Sequence, residues 1–569
     1  LIKKVSPQVS VTDEAGNSSL KNPTETYYYD ISGRLIGKRD ANSNLLTNGK
    51  IAAQTLLAGS WHGGDAALSL IQYNPDATLA SNSDASKKSF GYDIFGDLRT
   101  STNELQFTTN NVYDGAGRLV EVDHPIRTVV NGPNIQLKDY YSYDGLGQRI
   151  THRNSVYAGL VEKTDYDNKG RITKVTDFGG LATSYTYTWN SIAGGLIATA
   201  GLGNFGGWQT KTTNAAGLSS YENDDIFGHV TWRQDFGGHT SNFAYDSAGN
   251  LVHQTGPRSG MPNQSIDFAY YTNGYVASIT DNALGMKSTF AYDNEGNRTR
   301  ETYNSTDASP RFYQNADIKY DALGRVKEFN DAKAVVTYNY DANGNRREVK
   351  SVYNDGLGNG VVPPQDYWYK YDSMNRFTLT MGMMSNGTIV LGATGVSIGY
   401  DKAGNRQTAI YGGNNPHTEV YSYTADGYLE TMTIGGVLRA KRTNDELGRV
   451  KTYEQFTATG SPDLKRQMTY DFENRIIDET DDDYTNNRLG TAIHNDYKLY
   501  DTATAGYTGA DQGVLVHTKT VQTSGTTQTD YRYDWWDEAK QTQIKIGATD
   551  PSNPNSGSWG AGYTKFTYD

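Results

Sequence analysis

The chain has 569 residues, no cysteine, 43 tyrosines and 61 glycines against 14 prolines, and a net charge of −12. Without cysteine there is neither a disulfide nor a thiolate metal site, and an acidic chain with no Lys/Arg cluster is not built to bind nucleic acid. No apolar run is long enough for a helix to cross a membrane. Mean hydropathy is low at −0.67, so burial must come mainly from tyrosine faces, each carrying a hydroxyl that needs a partner.

Along the chain one phrase keeps returning: Tyr-Asp, two residues, Gly, then Arg or Asn. The first copy has Tyr29, Asp30 and Gly33. Residues 50–75 break the pattern as an atypical insertion, and the Ala and Leu of Ile51–Ala58 predict a short helix there. The phrase resumes at Tyr92-Asp93, at Tyr113, Asp114 and Gly117, at Tyr143-Asp144, and at Tyr166, Asp167 and Gly170. Residues 189–208 are glycine-rich and read as a degenerate repeat, after which Asp224–Gly228 restores the register. Copies follow at Tyr245, Asp246 and Gly249; Tyr292, Asp293 and Gly296; Tyr320, Asp321 and Gly324; Tyr340, Asp341 and Gly344; Tyr371; Tyr400, Asp401 and Gly404; and Tyr470. Weaker ones start at Tyr270, Tyr423, Asn444, Tyr500 and Tyr533. A second turn signal lies between units, as in Asp177–Gly180, Asp235–Gly238 and Asp281–Gly285, whereas 354–365 and 478–487 read as exposed insertions.

The phrase has a physical meaning. Asp suits the first position of a type I turn, because its carboxylate accepts a backbone N–H two residues on. Gly three residues later takes the positive φ with which the chain leaves the turn, giving a three-residue hairpin loop with a bulge. An aromatic often precedes the Tyr by two, as in Tyr338/Tyr340 and Phe290/Tyr292, which puts both rings on one face of a strand. Each repeat then holds two strands and two turns in roughly 20 to 35 residues. A lone hairpin is marginal in water, and about 30 to 40 strands in one flat sheet would twist apart. The expected fold is therefore all-β: residues 1–569 form one repeat region of tandem hairpins, a continuous strip coiled into a hollow shell or β-solenoid.

The phrase resembles the YD repeat of the RHS/YD-repeat family, matched at Tyr113–Arg118, Tyr166–Arg171 and Tyr320–Arg325 and, with Asn for Arg, at Tyr245–Asn250, Tyr292–Asn297 and Tyr400–Asn405. That family includes bacterial polymorphic and Tc-type toxins and animal teneurins. The resemblance implies a β-strip wound into a cocoon, which in toxin members encloses a C-terminal toxic domain. It implies a bacterial protein that is secreted or at the cell surface, and as partners an enclosed effector domain or other toxin-complex subunits. The self-cleavage motif of toxin members has only Asp550-Pro551-Ser552-Asn553 to match it, without the Gly, so no cleavage residues carry over. The chain starts at Leu1 and stops on Phe566–Asp569 as a phrase reopens, which reads as a piece of a longer polypeptide.

No catalytic, cofactor-binding or metal residue is predicted. Gly395–Gly399 spells a nucleophile elbow around Ser397, but runs straight into a repeat where a helix should follow. Gly201–Gly206 spells a dinucleotide loop without a βαβ unit. Asp478, Glu479 and Asp481–Asp483 lack the spacing and central Gly of a calcium loop and read as a solvated loop. His62 with Asp65 and Trp61 has no paired spacing. The sequons at Asn17 and Asn304 matter only in a glycosylating host. The expected function is a non-enzymatic wall or scaffold; the alternatives are an adhesin or glycan-binding stalk reaching cell-surface glycans through its tyrosines, and a polysaccharide-active solenoid, for which no carboxylate cluster is evident.

Overall fold

The computed structural model describes the chain apart from residues 1, 30–34, 49–51, 54–67, 74–86, 128–133, 158, 191–205, 258–262, 306–312, 332, 354–362, 502, 536–538, 547–562 and 566–569. Among the described residues there is no helix. One sheet holds 44 strands, and Val9–Thr12 with Ser18–Lys21 makes a separate two-stranded hairpin. The strip begins where Ile2–Val5 pairs with Thr24–Tyr29 and ends where Ala539–Ile546 pairs with Tyr563–Lys565. In between, neighbours in sequence pair antiparallel, as Tyr313–Tyr320, Val326–Asp331, Ala334–Tyr340 and Arg346–Tyr353 do in turn. Among the described residues no pairing joins the first strand to the last, so the strip is open.

The corners form as the phrase predicts. The Asp321 amide donates to the Arg325 carbonyl (2.9 Å) and the Gly324 amide to the Asp321 carbonyl (3.0 Å). Gly324 has φ 73°, and the register shifts between Lys319 and Tyr320, which face Glu328 and Val326. That is a type I turn closed by a bulge at a left-handed residue. The same shift occurs at Tyr113, Tyr166, Tyr245, Tyr292, Tyr340 and Tyr400. Where glycine is missing, Asn375 and Asn474 take the position at φ 61° and 64°, Asn being the side-chain-bearing residue that tolerates this region best. The corner at Asp30 and Gly33 lies outside the described residues.

The wall is one layer thick. Its accessible surface is 31882 Å², against about 20,000 Å² for a compact protein of this mass. Strand alternation makes its faces unlike. On one face Ile318 opposes Phe329 and Tyr338 opposes Val349. On the other, Lys319 meets Glu328 (2.9 Å) and Lys350 meets Asp366 (3.3 Å), alternating with hydroxyl pairs such as Ser422–Thr431 and Thr443–Thr452 (both 2.6 Å). A small apolar core appears where strand Phe377–Ser385 folds back on Thr388–Val390, burying Trp368, Leu379 and Ile389.

Four expectations change. Ala52–Ala53 is strand, paired with Ser69 and Leu68, because an open sheet edge outweighs a weak helix propensity; the rest of Ile51–Ala58 lies outside the described residues. The acidic run is no loop: strand Ile476–Asp483 pairs on both sides. Its alternation puts Glu479 and Asp481 beside Arg466 (3.1 and 2.9 Å) and Asp478 beside His494 (2.6 Å). Tyr500 sits in an irregular segment with only an Asp501–Gly506 bridge after it. Tyr533 is interior to strand Gly525–Trp535, so neither opens a corner. Within 189–208, Trp189 opposes Trp208 at 5.4 Å edge-to-face, while 191–205, like 354–362, lies outside the described residues.

Gly324→Val should destabilise the chain by about 1–2 kcal/mol, because a β-branched residue is forced to positive φ, whereas Asn474→Gly should stabilise it by a few tenths to about 1 kcal/mol. Urea unfolding followed by tryptophan fluorescence reads both; equal effects of the two would contradict the corner geometry.

Candidate functional site: corner ladder and winding seam

Each full corner does more than turn the chain. The Asp321 Oδ1 accepts the amides of Leu323 (2.9 Å) and Arg325 (3.1 Å), and Oδ2 accepts Arg325 Nε (2.7 Å). The held guanidinium lies 4.4 Å from the ring centre of Tyr340, the tyrosine of the next hairpin. The Tyr340 hydroxyl then donates to the carbonyl of Val326, just past the arginine (2.6 Å). The same circuit recurs with Asp114, Arg118, Tyr143 and the Leu119 carbonyl. It recurs at Asp167, Arg171, Tyr187 and Ile172, and at Asp372, Arg376, Tyr400 and Phe377. Asp445, Arg449, Tyr470 and Val450, and Asp471, Arg475, Tyr497 and Ile476, complete it twice more.

Where Asn replaces Arg, the amide still binds the carboxylate, as at Asp246, Asp293, Asp341 and Asp401. The next tyrosine hydroxyl still reaches back, from Tyr270, Tyr320, Tyr371 and Tyr423, as Tyr113, Tyr166, Tyr245 and Tyr292 do to the corners before them. The predicted corner residues from Tyr113 to Gly404 are thus brought into one ladder along one rim of the strip.

The charges follow from these contacts. The Arg118 side chain and amide hold Asp114 below the usual carboxylate range, and the Arg171 amide does the same for Asp167. The amide side chains of Asn250 and Asn297 lower Asp246 and Asp293. Burial pushes the hydroxyls of Tyr340, Tyr400, Tyr470 and Tyr497 up, and that of Tyr371 to about 12.

A second set of contacts joins residues 292 to 318 positions apart. Turns of the rim opposite the corners, in the first part of the strip, meet corners in the later part. Asn343 Nδ2 donates to Asp40 (2.7 Å) and Asn42 Nδ2 to Asp341 (2.9 Å). Arg127, 6% exposed, binds Asp426 through Nε (2.9 Å) and the Asp445 carbonyl (2.8 Å). Arg449 donates to the Tyr157 hydroxyl (2.8 Å), and the Phe472 ring stands edge-on to Tyr157 at 5.1 Å. The strip therefore winds, and a later winding seats its corners on the opposite rim of the earlier one. The corner residues used are the first or second after the residue that opens the turn, namely Asn343, Asp426 and Phe472, together with Asp341, the Asp445 carbonyl and Arg449. A cavity of about 400 Å³ lies in this seam among Asn103, His124, Arg127, Asp426 and Tyr428.

The seam was invisible in the sequence, since its spacing follows from strand number and twist and leaves no local signal.

The other candidates fall into the wall. Ser397 sits within strand Val396–Tyr400, opposite Leu379 and Ile410, with its hydroxyl donating to the Thr378 carbonyl (3.4 Å). His62, Asp65, Trp61 and Gly201–Phe205 lie outside the described residues. A buried pair went unpredicted: His517 Nδ1 meets Asp530 Oδ1 at 2.7 Å, both 2% exposed, beneath the stacked Tyr507 ring at 4.6 Å. It joins adjacent strands at facing positions. Among the described residues no group of three or more His, Asp or Glu is placed to hold a metal ion.

No protein-family profile matches the chain, and no curated protein does. Solved chains overlap it loosely. A TcdB2–TccC3 chain without its hypervariable C-terminal region is 11% identical with a TM-score of 0.47, covering 93% of this chain and 29% of that one. TcdB2–TccC3 is 11% identical at 0.41, covering 96% and 36%. A chain of the Photorhabdus luminescens Tc holotoxin pore is 11% identical at 0.39, covering 93% and 29%. This chain spans about a third of the length of those proteins, and overlaps this loose carry no function across.

Tyr340→Phe should cost about 1 kcal/mol, the worth of one hydrogen bond that leaves its carbonyl acceptor unpaired. Arg325→Lys should cost more, losing both the fork on Asp321 and the stack on Tyr340; additive losses in the double variant would argue against a shared circuit. The corner carboxylates of Asp114, Asp167, Asp246 and Asp293 have folded-state values below their unfolded ones. Their contribution is therefore full above the unfolded value of about 3.9 and is lost as pH falls through the folded one. Tm measured from pH 7 downwards should drop in that acid window, and Asp114→Asn should shrink the drop.

Proposed function

We propose that this chain is a non-enzymatic wall, the coiled repeat shell of a larger bacterial secreted or surface protein, and that it encloses or supports another polypeptide such as a C-terminal effector domain. The observation that carries this reading is the seam: consecutive windings of one antiparallel strip are locked rim to rim by Arg127–Asp426, Asn343–Asp40 and Arg449–Tyr157. A strip that only had to reach outwards as a stalk has no use for contacts between residues so distant in sequence. Paired strands and stacked rims leave little edge for a protease or an aggregating chain to enter. The yield in enclosed area is high, because the wall is one layer thick.

The test is protection. A small, protease-sensitive domain fused after Asp569 should survive trypsin while the wall is intact and be cut when Arg127→Ala with Asn343→Ala opens the seam. Cutting at the same rate in both, and as fast as in the free domain, would exclude a container. Negative-stain images of the same material should show a coiled, hollow particle; a straight rod would favour the stalk.

A further inference from the structure

One seam contact is built around a carboxyl oxygen that lacks a donor. The corner opened by Asp471 meets the earlier winding at two points. The Phe472 ring stands edge-on to Tyr157, and Glu473 enters the turn Asp177–Gly180. Gly179 makes the room: a Cβ there would stand 2.5 Å from Glu473 Oε1 and 3.4 Å from Asp177 Oδ1. Both carboxyl groups thus face one gap. Glu473 Oε2 accepts Arg475 Nη2 (2.9 Å). Its Oε1 is buried, and no donor among the described residues reaches it.

The charges around that gap do not balance. On its own corner Glu473 faces Asp471 and Arg475. The guanidinium is divided among Glu473, Asp471 (2.7 Å) and Asp511 (2.9 and 2.7 Å). Across the seam stands Asp177, whose Oδ1 accepts the Leu181 amide (2.8 Å). On the flank, Arg449 is held by Asp445 and donates to the Tyr157 hydroxyl, the Asp471 carbonyl and Asn474. His152, behind Phe178 at 5.3 Å, is held between Asp139 and Glu162. An ionised Glu473 adds like charge beside Asp471 and Asp177 and leaves a buried oxygen unsatisfied. A protonated one removes the repulsion and turns that oxygen into a donor.

We propose that this contact is a proton latch: Glu473 seats in the gap as a neutral carboxyl, its proton between Asp471 and Asp177, and the Asp471 corner lifts from the earlier winding when that proton leaves to solvent. Burial and Asp471, with Arg475 opposing and Asp177 adding, raise the Glu473 carboxyl to about 7. The seat is therefore firmest below the ordinary glutamate value and is lost as pH rises through about 7. The Arg127–Asp426 and Asn343–Asp40 contacts still join the windings elsewhere, so the opening is local. The latch rests on the seam alone and holds whether or not the wall is a container; in a container it is the place that slackens in alkaline surroundings.

The chain lacks cysteine, so two spin labels can be placed cleanly. K174C and Q467C are exposed positions on the strands that lead into the two turns. Their electron–electron distance should be short and narrow at pH 6 and longer and broader at pH 8.5, at unchanged far-UV circular dichroism. The ratio of long to short distances should rise up to about tenfold per pH unit above 7, the limit for loss of one proton. Glu473→Gln, a neutral side chain with a donor, should keep the short distance at both pH values. Gly179→Leu, which fills the seat, should give the long one at both. The same distance at both pH values in the unmodified seam would overturn the proposal, as would a short distance in Gly179→Leu. A Glu473→Gln chain that is open at pH 6, or that still opens between pH 6 and 8.5, would overturn it too; the second result would assign the change to a histidine such as His152.

Discussion

The carboxylate that opens most corners organises this structure. An aspartate that accepts two amides of its own turn has one oxygen left, and that oxygen fixes a guanidinium or amide at a set height above the sheet. The cation then lies over the tyrosine of the following hairpin, whose hydroxyl returns to the backbone beside it. Intrinsic turn preference, an ion pair, a cation–π contact and a tyrosine hydrogen bond are each worth about 1 kcal/mol or less on a surface. Linked in a circuit that recurs in full or in part along the strip, they hold a sheet with no second layer behind it. Asp321, Arg325, Tyr340 and Val326 show the complete form; Asp293 with Asn297 shows what remains when the cation is dropped.

The ladder fixes one hairpin against the next, but the path of the strip is set by the seam, where the local electrostatics are less settled. Glu473 faces Asp177 across it; burial, with Asp471 and Asp177 adding and Arg475 opposing, pushes its carboxyl up to about 7. A carboxyl whose folded value is raised contributes most when protonated, and that contribution fades as pH rises from the unfolded value through about 7. This stretch of seam and the corner carboxylates of Asp114, Asp167, Asp246 and Asp293 thus respond to pH in opposite senses.

Much of this was legible in the sequence because it is local. Asp at one position, Gly three later and Tyr just before encode the turn, the bulge and the face of the ring, and every described full copy, from Tyr113–Arg118 to Tyr400–Asn405, folds that way. The exceptions are instructive. The acidic strand Ile476–Asp483 looked like a loop because its charges are judged one at a time, whereas alternation gives them Arg466 on one face and His494 on the other. Tyr533 carries the right letters Tyr-Asp, yet Trp535 follows where a turn residue was needed, and the strand continues. The contacts of Arg127 and Tyr157 had no sequence signature, since nothing within a repeat states how many repeats make one winding.

That separation of scales has a consequence for how the chain is made. Nearly all its contacts join adjacent hairpins, so each newly synthesised hairpin can zip onto the last at little cost in loop entropy. The seam is different: bringing together residues 299 apart, as in Arg127 and Asp426, would cost a free chain about 5 kcal/mol before any reward. A ribbon already stiffened by its ladder has spent that entropy in small steps and arrives at the meeting point on a preset curve. Growth from the ribosome would then be vectorial, with the first winding finished as a template before the second is laid upon it.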